Sequence, residues 1–396
     1  MLRKSMVIGT TTLFGAVMMA PLLGAPAAAQ SKKPIIVGAA VAISGWMKHY
    51  DDGPLKGVKL AIQDINKAGG VLGRPIELIT ADTKTKPEGS ARAAQEVLEK
   101  GAKLVITSCD FDFGAPAALA ANAKKVPAFA TCAADAKFGV QGIGRYAFSM
   151  ATATPGLAAL SAEWAHKRGW RTAYVMMDTI VEYTKSVCGH FKTRWKQLGG
   201  KLVGEDRFLG TDGQFPAQVS RLKRMSKKPD FVFLCTGGPG AAIVRQIRAS
   251  GVKTKLLATD SMDGDAWMKS VPNLSAFYFG AYGSLFGDDP NPKARAFFSA
   301  FTKTFGAKPV SSQAITGYSV IEAFALAAKR AGSTDGDKLV AAYEKFRGEK
   351  LLVGPTTFTK DLHINLGRGQ LIMQVEGGKH RAIEWYTPKQ VPKPKL

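Results

Sequence analysis

From Ile35 onward the chain alternates short, continuous apolar runs with longer stretches of helical period, and this alternation leaves few folds open. Ile35-Ile36-Val37-Gly38-Ala39, Ile76-Glu77-Leu78-Ile79, Leu104-Val105-Ile106 and Ala128-Phe129-Ala130 read as strands. Between them lie a helix with Leu55, Val58, Ala61, Ile62 and Ile65 on one face, a second over about 88–100, and a third over 115–124. Pro54 suits the first turn of the first helix, and Gly69-Gly70 stops it. The second half repeats the scheme, with helices over 156–167, 185–198, 215–225 and 241–250, and strands over 173–177, 231–234 and 256–258. Strands that are apolar on both faces belong to parallel sheets covered by helices on both sides. Two successive sets predict two doubly wound α/β lobes. Such sheets bind ligands at the carboxyl ends of their strands, so the residues just after each strand carry the information. The last third is more helical, over 294–305 and 311–330, followed by strand-like runs at 370–375 and 381–385. The Pro- and Lys-rich tail, 388–396, is expected to be disordered.

The N-terminus has the form of a secretory signal: Arg3 and Lys4, an apolar run from Met6 to Leu23, then Ala25-Pro26-Ala27-Ala28-Ala29 before Gln30. Cleavage is expected after Ala29. The run is too interrupted for a bilayer span, with Thr10-Thr11-Thr12, Gly15 and a break at Pro21. Export removes ATP, NAD and most nucleic acid from consideration. With the first cysteine at Cys109, no lipid anchor on a mature N-terminal cysteine is expected, and the mature chain should be free in the periplasm. The chain carries 54 Lys+Arg against 31 Asp+Glu, a net charge of +23. The excess is spread in pairs such as Lys32-Lys33 and Lys227-Lys228, which describes a solvated basic surface and not a nucleic-acid tract.

Cys109 and Cys132 fall in the first half, Cys188 and Cys235 in the second. The spacing suits no redox motif or zinc site. One bridge within each half and four free thiols are both compatible with it. GxSxG, HExxH and Walker A motifs are absent, and the five histidines have no ligand spacing. No metal, no cofactor and no enzymatic role are expected. Thr236-Gly237-Gly238-Pro239-Gly240 follows a strand and opens a helix; it reads as a tight turn before it reads as an anion cradle.

An exported chain with two α/β lobes and no catalytic motif points to a binding protein. The segment Val41-Ala42-Ile43-Ser44-Gly45, then Tyr50, then the run from Gly57 through Asn66-Lys67-Ala68-Gly69-Gly70-Val71-Leu72-Gly73-Arg74 closely resembles the N-terminal signature of the periplasmic leucine/isoleucine/valine-binding proteins. These are type I solute-binding proteins of ABC importers. The resemblance continues through Leu198-Gly199-Gly200-Lys201, Arg245-Gln246-Ile247-Arg248-Ala249, Gly317-Tyr318 and Gly354-Pro355-Thr356-Thr357-Phe358, covering nearly the whole mature chain. It implies two lobes joined by a three-segment hinge that close on a small solute, with the crossings near residues 152, 283 and 358. Residues 30–152 with 284–358 would form one lobe, and 153–283 with 359–387 the other. It further implies a monomer that delivers an amino acid, amide, amine or aromatic compound to an ABC permease in the inner membrane. The same fold also serves ligand sensing, with the signal passed to a receptor or regulator.

The resemblance also places a site. Trp46 and Tyr50 occupy the first cleft loop, where the family uses aromatic contacts. Asp260 matches the acid that faces a ligand ammonium, and Tyr183 the aromatic of the second-lobe loop. Three departures follow. Phe111 stands in place of a carboxylate-holding serine, with Asp110 and Asp112 beside it; Asp135, in the loop with Ala133, replaces a threonine; and Gly237-Gly238 replaces a tyrosine. Added carboxylates oppose a ligand carboxylate, which predicts a ligand other than a leucine-like amino acid. Acids at 110 and 112 also suit the first turn of the following helix.

Overall fold

The computed structural model describes residues 1–3, 5–10, 33–237 and 240–394. The expected signal cleavage site and Gly238 therefore lie outside the described residues. Among the described residues no helix is long and apolar enough to cross a membrane.

The described residues from Lys33 onward form one compact unit built on two large sheets. The first is fully parallel, in the order β2-β1-β3-β4-β5: β1 Ile35–Val41, β2 Ile76–Asp82, β3 Leu104–Thr107, β4 Ala128–Ala130 and β5 Ala147–Ser149. Val37 sits between Leu78 and Leu104 in this register. Its flanking helices include α1 Lys48–Lys67, α2 Pro87–Glu99 and α3 Phe111–Ala123. The second sheet has seven strands, in the order β14-β13-β10-β9-β8-β6-β7. Five are parallel: β6 Thr172–Asp178, β7 Lys201–Phe208, β8 Phe231–Cys235, β9 Lys255–Ala258 and β10 Phe277–Ala281. The late pair β13 Gln370–Glu376 and β14 Lys379–Tyr386 joins antiparallel to β10 and to each other. The sheets are thus parallel at their centres, with an antiparallel edge on the second.

Two helix starts differ from the sequence expectation, and both reshape the cleft. α1 begins at Lys48, so Pro54 lies inside it and not in its first turn. α3 begins at Phe111, four residues before Ala115, because the Asp110 carboxylate accepts the Asp112 N–H (2.9 Å) and caps the helix there.

The chain passes from the first sheet to the second through residues 150–153. It returns after β10 to form α8 Pro292–Phe305, α9 Ala314–Ala331 and α10 Gly336–Tyr343, then leaves again between β12 Gly354–Thr356 and β13. α9 packs on α1 at a glycine crossing: a Cβ on Gly57 would collide with the Ala314 carbonyl, and one on Gly317 with that of Pro54. Large aromatic groups fill both cores, Phe129, Phe148 and Phe358 with the first sheet, and Trp164, Trp195 and Phe233 with the second. The tail expected to be disordered is held at its start. The Lys389 and Gln390 N–H groups donate to Glu163 (2.7 and 3.0 Å), which is buried against Arg194 at 2.6 Å. A buried ion pair has lone pairs to satisfy, and the tail backbone supplies donors for them.

Candidate functional site

Each parallel sheet reverses its strand order once, between β1 and β3 in the first and between β6 and β8 in the second. Loops that leave such a switch point in opposite directions open a crevice at the strands' carboxyl ends. Among the described residues they line a cavity of about 60 Å³. The loop after β1 brings Trp46 and Met47, and α1 adds Tyr50. The loops after β3 and β4 bring Asp110 and the disulfide between Cys109 and Cys132. From the second sheet come Ile180 and Val181 after β6, Tyr183 and Thr184 at the start of α5 Glu182–Gln197, Gly237 after β8, and Asp260 and Ser261 after β9. Gln313, just before α9, completes the wall.

Asp51 holds the first-sheet side in shape. This carboxylate in the first turn of α1 is 2% exposed. It accepts the Ala42 N–H (2.6 Å), the Cys109 N–H (2.7 Å) and the Ser108 hydroxyl (2.7 Å). One side chain thereby ties the loop after β1 to the loop after β3. Burial pushes its pKa up to about 6 in spite of these three donors. Asp110 is also buried, and burial reinforced by the Asp112 charge pushes its pKa up to about 7. On the opposite wall Asp260 accepts the Tyr183 hydroxyl (2.8 Å) and the Gln370 amide (3.1 Å). Burial raises its pKa, and burial with the Asp260 charge raises that of Tyr183 well above the phenol range.

Of the expected site residues, the structure brings Trp46, Tyr50, Asp110, Tyr183, Gly237 and Asp260 to this one cavity. Phe111 is not in its lining. With α3 starting at Phe111, each residue turns about 100° from the last. Phe111 thus faces Phe138 edge-on at 6.3 Å, with Lys137 Nζ 5.1 Å from its ring centre, and Phe113 meets Trp46 at 5.3 Å. Asp112 also turns away from the cavity, and its Oδ2 accepts the Glu182 N–H (3.2 Å) across the cleft. Asp135 closes its own turn by accepting the Lys137 N–H (2.8 Å), with Lys137 Nζ at 3.7 Å. Ala133 is fully buried, its carbonyl taken by the Ser149 hydroxyl (2.6 Å). Met47, the disulfide, Ile180, Val181, Thr184, Ser261, Gln313 and the buried Asp51 were not legible as site residues. Asp51 had one available signal, an acid on the apolar side of an amphipathic helix.

Residues 34–379 match the family model described as "Periplasmic binding protein". The chain belongs to that family. Its members bind solutes and are not enzymes. The chain is 24% identical over 339 residues to the Leu/Ile/Val-binding protein homolog 3 of Brucella melitensis, an alignment covering 83% of this chain and 87% of that one. Among solved structures it is similar to the substrate-binding protein LivJ of Streptococcus pneumoniae in complex with isoleucine, with a TM-score of 0.79, 22% identity, and coverage of 90% of this chain and 100% of that one. It is also similar to an ABC transporter solute-binding protein of R. palustris in complex with benzoate, with a TM-score of 0.75, 17% identity, and coverage of 91% and 98%. These likenesses establish the type I fold. The expected leucine/isoleucine/valine-binding family is thereby supported.

Within this periplasmic binding protein the first and third of the segments joining the sheets are fastened by one buried side chain. Arg368 donates to the carbonyl of Met150 (2.6 Å) in the first segment, and to the Pro355 carbonyl (3.2 Å) and Thr356 hydroxyl (3.0 Å) before the third. In the second segment the Tyr282 hydroxyl accepts the Thr152 N–H (3.0 Å). Burial lowers the Arg368 pKa to about 10, which leaves it charged at any physiological pH.

Proposed function

We propose that this chain works in the periplasm, captures a small polar or aromatic solute between two lobes, and delivers it to an ABC permease of the branched-chain amino acid type in the inner membrane. The lobes are residues 30–152 with 284–358, and 153–283 with 359–387. The observation that carries the reading is the cavity itself: loops from the switch points of both sheets line one space. A solute there touches both lobes at once, so binding and closure are the same event. The Asp112–Glu182 bond joins loops of the two sheets across the cleft, as closure of the lobes would require. The cavity volume, room for a handful of water molecules, suits a small ligand. Relatives whose names or bound ligands are branched-chain amino acids or benzoate support the size class.

The test is a thermal-shift screen of the exported protein against amino acids, amides, amines and aromatic acids, followed by small-angle scattering with each hit. A ligand at a hundredfold excess over its Kd stabilises by about 2.7 kcal/mol, and the scattering radius should fall on binding. Cells lacking the protein should then lose uptake of that solute. A hit that leaves the radius unchanged, or uptake that survives deletion, refutes the reading.

A further inference from the structure

We infer that the solute is a small amine cation carrying no carboxylate. This rests on the cavity being the solute site, as proposed above, and follows from counting what its walls can offer.

The protein as a whole carries +23, yet the described residues lining this cavity include two carboxylates, Asp110 and Asp260, and no Lys, Arg or His. A ligand carboxylate inside would have two acidic groups near it and no Lys, Arg or His on the lining to pair with, and a buried charge without an ionic partner is strongly disfavoured. Part of the donor capacity around the cavity is already committed to the protein. The Cys109 N–H goes to Asp51, and the Asp112 N–H at the head of α3 goes to Asp110. The Ser261 hydroxyl donates to the Thr236 carbonyl (2.6 Å), that of Thr184 to Val181 (2.8 Å), and that of Tyr183 to Asp260. Each of these oxygens presents only lone pairs to the cavity. The side-chain donors of Trp46 and Gln313 on the lining are neutral.

Among the carboxylate oxygens of the lining, one is unspent. Asp110 is 8% exposed, and its Oδ1 takes the Asp112 N–H. Among the described residues no hydrogen bond reaches its Oδ2. Trp46 and Tyr50 stand edge to face on the same wall, with ring centres 6.4 Å apart, and Trp46 is 40% exposed. A carboxylate oxygen and aromatic rings lining one cavity are the groups that hold an alkylammonium head. The apolar side chains of Met47, Ile180 and Val181 would take its carbon skeleton.

The experiment is calorimetry on the exported protein with one skeleton in four forms: 3-methylbutylamine, leucine, 4-methylpentanoate and isovaleramide. The amine should bind at least a hundredfold more tightly than any of the other three. Asp110→Asn keeps an oxygen to cap α3, so it should fold with an unchanged melting temperature while losing amine affinity thirtyfold or more. Asp135→Asn, outside the lining, should bind as wild type. Tighter binding of leucine or the acid overturns the inference and leaves the capture reading standing. So does equal binding of the neutral amide, which would mean that donors matter and charge does not. Equal amine affinity in Asp110→Asn overturns the assignment of Asp110. If no member of the set binds at millimolar concentration, the inference fails. If a periplasmic metabolite extract also leaves the melting temperature and Trp46 fluorescence unchanged, the capture reading fails with it.

Discussion

Replacing Asp51 tests whether one buried carboxylate shapes half of the cleft. Asp51→Ala strands two fixed backbone donors, the Ala42 and Cys109 N–H groups, in a region closed to water. The Ser108 hydroxyl can rotate to another acceptor and is left out of the count. At about 1–3 kcal/mol for each stranded buried donor, the loss is ~4 kcal/mol. For lobes of this size that is a melting temperature lower by roughly 10 °C. The pH dependence sharpens the test. Burial raises the folded pKa of Asp51 to about 6 from its ordinary 3.8. The folded state then holds the proton more tightly than the unfolded one, so the stabilisation is full below about pH 4 and declines as pH rises through 6. The deficit of Asp51→Ala should therefore be larger at pH 5 than at pH 8. Urea denaturation at both pH values, with Asp51→Asn alongside, measures it; the Asn variant keeps one acceptor and should lose about half as much. A variant within 2 °C of wild type at both pH values would refute the reasoning, as would a deficit that grows with pH.

Arg368→Ala removes the donor set that joins the interlobe segments at Met150, Pro355 and Thr356; it should destabilise by about 3 kcal/mol or more, and intact global stability in calorimetry would rule out a fastening role. The Cys188–Cys235 bridge closes a separation of 47 residues within the second lobe. Its double alanine variant should lose about 4 kcal/mol on the chain-entropy model while ligand affinity is kept. The Cys109–Cys132 variant should lose both stability and affinity, because that bridge lines the cavity; equal affinity losses in the two variants would contradict this placement. Asp263 accepts the N–H and hydroxyl of Ser312 (both 2.6 Å), and burial raises its pKa to about 7. Its stabilisation should fade between about pH 4 and pH 7. Asp263→Asn should thus be less stable overall but flatter with pH, and parallel melting curves for variant and wild type from pH 5 to 8 would count against it.

Much of the fold was legible because its signals are local. The run Ile35–Val41 and the helical face carrying Val58, Ala61 and Ile62 each identify an element without reference to any other part of the chain. What was missed had no local signal. β5 and β10 are short apolar stretches that gain their identity from neighbours, Ala128↔Ala147 in one sheet and Phe277↔Leu256 in the other. The antiparallel edge formed by β13 and β14 depends on where the chain returns, which periodicity does not encode.

The site divides in the same way. Trp46, Tyr50, Asp110 and Asp260 were readable because the family resemblance placed them in or beside loops that follow strand ends, and such loops face the crevice of a doubly wound sheet. A start four residues earlier for α3 was enough to turn Phe111 and Asp112 elsewhere, since direction around a helix depends on where it begins. The role of Asp51 needs Ser108, 57 positions away, and the cross-cleft bond of Asp112 needs Glu182, 70 positions away. By itself, then, the sequence determined the element order, the two-sheet architecture and the strand ends where a ligand must sit, because hydrophobic period and glycine punctuation act over a few residues. Only the tertiary structure decided which acids face the cavity and which donors remain free. Those properties depend on partners far apart in the chain, and on burial that exists only once both lobes are packed.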